Sequence, residues 1–157
     1  MASSSRKGWF FDKTNSRLAA RYNDTAFLRG TASALTVPEG IALTSGDLTI
    51  SDGGTVTQIT NATTGVTLNT AVGQITTVTQ NIAAAGEVQF TVTNSKVAAT
   101  SVVILNVASG STGGTTIAAV TAVAAGSFQV TLTNLHASVA ETGTLVLNFA
   151  VIGGSAT

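Results

Sequence analysis

The chain has 157 residues, no cysteine and only 9% charged side chains, against about 25% in a usual globular domain. At this length one ordinary domain with an appendage is expected, hiding about two-thirds of the surface of the unfolded chain. Without cysteine there is no disulfide framework, thiolate nucleophile or Cys-based metal site, and with so little charge the surface must be solvated by hydroxyls and amides or covered by other copies or partners.

The formal net charge of zero hides a separation. Residues 1–30 carry Arg6, Lys7, Lys13, Arg17, Arg21 and Arg29 against Asp12 and Asp24, a net of +4, while the remaining 127 residues carry Lys96 against five carboxylates, a net of −4. Five of the eight aromatic residues also fall in the first thirty positions: Trp9, Phe10, Phe11, Tyr22 and Phe27. Such asymmetry suggests one segment made to dock and another made to fold. The opening Met1-Ala-Ser-Ser-Ser-Arg-Lys7 is polar and leads into aromatics, unlike a secretory signal. Thr, Ser, Asn or Gly interrupts every apolar run before it could span a bilayer, so neither usual export nor a membrane is expected.

In chain order, residues 1–30 read as a basic, aromatic docking arm: short strands at 9–11, 17–22 and 25–29 separated by Asp, Asn and Ser turns, forming an extended hairpin. Residues 31–72 read as an extended connector of short strands, with Gly40, Gly46, Asp52-Gly53-Gly54 and Gly65 as turns. Residues 73–157 carry an internal duplication. Gly86-Glu-Val-Gln-Phe-Thr-Val-Thr-Asn94 matches Gly126-Ser-Phe-Gln-Val-Thr-Leu-Thr-Asn134, Ile75-Thr-Thr-Val-Thr matches Ile117-Ala-Ala-Val-Thr, and Val103-Ile-Leu-Asn106 matches Leu145-Val-Leu-Asn148.

Each copy predicts three strands. In the central one Val88, Phe90 and Val92, or Phe128, Val130 and Leu132, alternate with Gln and Thr, giving one apolar and one hydroxyl-lined face. A three-stranded sheet with one apolar face cannot stand alone, so the two copies are expected to close face to face as a β-sandwich or jelly-roll-like domain. The third strands, 102–107 and 145–152, are continuously apolar, which fits burial on both faces or at a subunit boundary.

Catalytic chemistry is missing from this inventory. His136 is the single histidine, with Glu141 the nearest carboxylate, and a solvent-exposed loop histidine outweighs a catalytic pair. Asp47 and Asp52 lack the alternation of a calcium loop, and the Gly110-Ser-Thr-Gly113-Gly114 run has no following Lys or helix, so it is no phosphate cradle. No enzyme, cofactor or metal is expected. Arginines beside aromatic rings permit single-stranded nucleic acid, but the negative body would add nothing to phosphate attraction. Trp, Tyr, Phe and Arg are the residues that dominate protein interfaces.

Three stretches resemble the virion-surface proteins of tailed bacteriophages, the head-decoration, head-fibre and tail-fibre group. Phe11-Asp-Lys-Thr-Asn-Ser-Arg-Leu18 through Tyr22-Asn-Asp-Thr25 resembles the opening of fibre-like proteins; Gly46-Asp-Leu-Thr-Ile-Ser-Asp-Gly-Gly54 is similar to the connecting repeats after it; residues 86–106 and 126–152 resemble a C-terminal β-domain of phage structural proteins. The resemblance implies a homotrimer, a particle anchor and an outward β-domain, located on the virion surface and assembled in the host cytoplasm. The expected docking residues are Arg6, Lys7, Trp9, Phe10, Phe11, Arg17, Arg21, Tyr22, Phe27 and Arg29, and the expected partner is the major capsid protein or another virion protein. The alternative is a fibre or receptor-binding protein using the outer loops 109–115 and 135–143.

Overall fold

The structure is a computed structural model that describes residues 48–112 and 115–153, together with two short strands nearer the N-terminus. The chain divides into two compact units, Met1–Gly46 and Asp47–Thr157. In the first, β1 (Trp9–Asp12) pairs antiparallel with β2 (Arg17–Ala20), Trp9 opposite Ala20 and Asp12 opposite Arg17. Residues 21–22 of the expected second strand and the strand expected over 25–29 lie outside the described residues.

The second unit is all-β and packs two mixed four-stranded sheets into a sandwich. Its strands are β3 (Gly53–Thr57), β4 (Val66–Thr67), β5 (Val72–Thr79), β6 (Glu87–Thr93), β7 (Val102–Ser109), β8 (Thr116–Ala124), β9 (Ser127–Asn134) and β10 (Thr144–Ile152). One sheet has the order β3-β5-β10-β7 and the other β4-β6-β9-β8. Period-two alternation delivers the apolar side chains inward: Phe90 and Val92 from β6, Phe128, Val130 and Leu132 from β9, Ile75 from β5, and Leu145, Leu147, Phe149 and Val151 from β10 are all buried. The rings of Phe128 and Phe149 cross the gap between layers, centroids 5.4 Å apart and tilted by 58°, a favoured arrangement for an aromatic pair. β5 makes room for this pair at Gly73, where a Cβ would lie 2.6 Å from Phe149 Cε1 and 2.7 Å from Leu68 Cδ2.

The two matching segments of the duplication lie side by side. β6 pairs antiparallel with β9 so that Phe90 faces Val130, the residue it aligns with in sequence. At one end of the pair the Asn94 N–H donates to the Gly126 carbonyl (2.8 Å); at the other the Asn134 N–H donates to the Gly86 carbonyl (2.9 Å).

Three expectations are corrected. The copies do not each make a sheet: β5, β7 and β10 lie in one layer and β6, β8 and β9 in the other, so strands of both copies meet in each sheet and the apolar faces of one copy oppose each other across the sandwich. The boundary expected at residue 73 falls too late, because β3 pairs in parallel with β5 and β4 in parallel with β6. Val56, Val66 and Leu68 from the supposed connector pack on the common core, and burying those residues is what draws residues 53–67 into the unit. These parallel pairs also depart from an all-antiparallel jelly roll. Third, the two continuously apolar strands differ in fate: β10 is central and buries four side chains, whereas β7 is an edge strand with Val102 and Ile104 outward and more than half exposed.

Phe128 touches both layers, so Phe128→Ala is expected to cost about 3–5 kcal/mol in urea unfolding, while Thr91→Ala on the wet face of β6 stays within about 0.5 kcal/mol. Equal effects would contradict the placement of the core.

Candidate functional site

The two loops singled out from the sequence are tied to each other in a defined constellation. Residues 110–115 connect β7 to β8, and residues 135–143 connect β9 to β10. Their backbones approach directly at Gly110 and Gly143: a Cβ on Gly143 would collide with the Gly110 carbonyl, and one on Gly110 with the Thr144 carbonyl. Gly110 also has φ +93°, a conformation that favours glycine.

Glu141 locks this junction. Only 1% of its surface is exposed, and its main chain is held by reciprocal bonds with Ile82, the Glu141 N–H donating at 2.8 Å and the Ile82 N–H at 3.0 Å. The carboxylate accepts the Ser111 hydroxyl at 2.8 Å, the Thr112 N–H at 3.0 Å, the Thr116 hydroxyl at 2.5 Å and the Gly143 N–H at 2.7 Å. Ser111 Oγ accepts the Thr116 N–H at 3.1 Å while donating to the carboxylate, so one hydroxyl bridges both ends of its loop. Burial alone would push the Glu141 carboxyl up, but the bonds from Thr116, Thr112, Gly143 and Ser111 outweigh it and hold the group down at about 2.

The longer loop is braced by neutral groups. Asn134 Nδ2 donates to the carbonyls of Ile82 (3.2 Å), Ala83 (3.2 Å) and Val139 (2.8 Å), and its Oδ1 accepts the His136 N–H at 3.0 Å. The matching Asn94 does the same work at the other end of the pair: Nδ2 donates to the Thr70 carbonyl at 2.9 Å and Oδ1 accepts the Lys96 N–H at 2.9 Å. His136 Nδ1 accepts the N–H groups of Ser138 (3.1 Å) and Val139 (3.0 Å). The imidazole Nδ1 is therefore spent on loop geometry, and the carboxylate's acceptor sites are filled by four donor groups including both hydroxyls. Neither group has the free lone pair that a general base needs, so the His136–Glu141 pair considered from sequence is a loop brace.

Among the described residues no group of three or more His, Asp or Glu could hold a metal ion, and no helix is long and apolar enough to cross a membrane. Of the expected docking residues, Trp9, Phe10 and Phe11 lie on β1 and Arg17 on β2. Arg6, Lys7, Arg21, Tyr22, Phe27 and Arg29 lie outside the described residues. Sequence reasoning missed Ser111, Thr112 and Thr116 as partners of Glu141; the signal available was a lone carboxylate in an otherwise uncharged stretch from 97 to 157. No known family model, curated protein or solved structure matches the chain.

Since the folded carboxyl titrates at about 2 and an unperturbed one near 4.5, its contribution is fully present above pH 4.5 and is lost as pH falls toward 2. The gap corresponds to roughly 3 kcal/mol. Glu141→Gln is therefore expected to lower the urea midpoint clearly near neutral pH and much less at about pH 3; an equal loss at both would contradict an ionised clamp.

Proposed function

We propose that the protein is a structural component of a bacteriophage particle that binds the outside of the capsid through its N-terminal segment and decorates or stabilises the shell. The observation that carries this reading is the segregation of six of seven cationic residues and five of eight aromatics into the first thirty positions, beside a body whose buried carboxylate, Glu141, is saturated by internal donors. Arg6, Lys7, Trp9, Phe10, Phe11, Arg17, Arg21, Tyr22, Phe27 and Arg29 supply the docking surface. The partner is the major capsid protein or another virion protein, with neither nucleic acid nor membrane involved. No bond is made or broken: binding only the assembled shell stabilises it by mass action, and self-association, as a trimer in the resembling proteins, multiplies modest contacts.

A second reading, a head- or tail-fibre protein that contacts the host surface, is favoured by one specific feature. Glu141 fastens loops 109–115 and 135–143 into a single preorganised surface, and preorganisation lowers the cost of binding.

Deleting residues 1–30 separates the two. The truncated chain is expected to keep the β-sheet signature of the sandwich and to lose sedimentation with expanded shells. If it coats shells as the full chain does, the docking role is wrong; if it loses nothing on shells but loop variants such as Ser111→Ala with Leu135→Ala abolish cell binding, the fibre reading replaces it.

A further inference from the structure

The outer edge of β7 is left open in a way that proteins normally avoid. All backbone hydrogen bonds of Val102–Ser109 go to β10, and among the described residues nothing pairs with its other side. Val102 and Ile104 point outward, 56% and 55% exposed, and Ile152 of β10, opposite Val102, is 48% exposed. Natural sheets protect such edges with lysine, proline, inward charge or a bulge that twists the edge away. β7 has no charge and no proline, and its one register irregularity lies at the Ser109 end, so Val102 to Val107 run on unprotected.

Charge narrows what can cover it. From residue 97 to the C-terminus the only formally charged side chain is Glu141, which is buried. Within residues 97–153 an acidic or basic partner would find no exposed charge to pair with, the nearby Lys96 being already paired with Asp52, and would lose hydration on docking. A second copy of the same strand presents an equally uncharged edge, with no like charges brought together.

The outward side chains then select a register. Directly opposite residues of an antiparallel pair project from the same face, so a two-fold axis between two copies of β7 must fall on a residue. The longest overlaps centre on Leu105 or Asn106. Centred on Leu105, Ile104 meets Asn106. Centred on Asn106, Ile104 meets Ala108, Leu105 meets Val107, and Asn106 meets itself. On the exposed face the second choice puts apolar against apolar and amide against amide, whereas the first sets Ile104 against an amide; on the inner face the second sets Val103 against Ser109. It also continues a row of amides that already crosses the sheet: Gln74 Nε2 donates to Asn148 Oδ1 at 3.1 Å, Asn148 faces Asn106, and the Asn106 amide has no hydrogen bond among the described residues.

We propose that the protein self-associates by antiparallel pairing of β7 with β7 of a second copy, Asn106 facing Asn106, which joins the two β3-β5-β10-β7 sheets into one of eight strands. The inference rests on the self-association invoked above and replaces a three-fold contact by a two-fold one.

Because the chain has no cysteine, single-cysteine variants read the register. Under mild oxidation Asn106→Cys is expected to give a covalent dimer. Ile104→Cys is expected not to, since across the axis its copies are offset by four positions, about 13 Å along the strand, well beyond disulfide reach. Light scattering of the full chain should give a dimer, and Ile104→Lys a monomer with an unchanged circular dichroism spectrum. A monomeric full chain, a trimer unaffected by Ile104→Lys, or equal cross-linking of both cysteine variants would overturn the proposal. A dimer of this register that fails to bind shells would count against the docking role alone.

Discussion

Strands β6 and β9 form the centre of their sheet by pairing with each other, and the remaining strands are registered against that pair. Phe90 and Val130 face one another at its midpoint, and each strand leads into a buried asparagine, Asn94 or Asn134, whose main chain bonds to the glycine that opens the other strand. Each asparagine side chain then reaches out of the pair. Asn94 holds the Thr70 carbonyl just ahead of β5, and Asn134 holds the turn at Ile82 and Ala83 as well as Val139. These are neutral, fully buried amides, and truncating either leaves carbonyls unpaired in the interior, the costly half of the hydrogen-bond balance. The pair thus fixes the sheet directly, and the opposite layer through the connections that its asparagines brace.

With few charges to use, the body is organised by hydroxyls and amides. Gln89 Nε2 donates to Thr131 Oγ1 at 2.9 Å, and Thr131 Oγ1 lies 2.9 Å from Thr121 Oγ1, so the wet face of the β4-β6-β9-β8 sheet is knit side chain to side chain. The described ion pair, Lys96 with Asp52 at 3.2 Å, is half exposed on both sides and contributes little. Glu141 is the exception: a buried charge balanced by hydroxyls and backbone N–H dipoles instead of a cation. That solution stabilises the anion and engages its oxygens in joining the two loops.

The strands whose apolar residues alternate, β6 and β9, were legible because burial on one face writes period two into the sequence. The duplication of 86–94 and 126–134 was legible too, but not its consequence, since repeat matching says nothing about which sheet a strand joins. Short strands were legible around β3 and β4, but not their membership of the sandwich, for a related reason: a strand of five or two residues takes its place from a partner distant in sequence, here β5 and β6. Hydropathy could not separate β7 from β10, because it records the tendency to be covered and not whether the cover comes from the same chain. The Glu141 junction escaped because its partners, Ser111, Thr112 and Thr116, are ordinary in a Thr- and Ser-rich chain until the fold brings them to one carboxylate.

The same economy of charge links structure to role. The sandwich rests on core packing, neutral hydrogen bonds and one buried carboxylate that salt screens little, and six of the seven cations are set aside in the segment proposed to dock. A surface coat works through repetition, with each copy adding a small contact to a lattice. The direct measurement is the copy number of this chain in purified particles, by quantitative mass spectrometry against the shell subunit. A decorating role requires a number commensurate with the shell lattice; a handful of copies confined to one vertex or to the tail, or none at all, would contradict it.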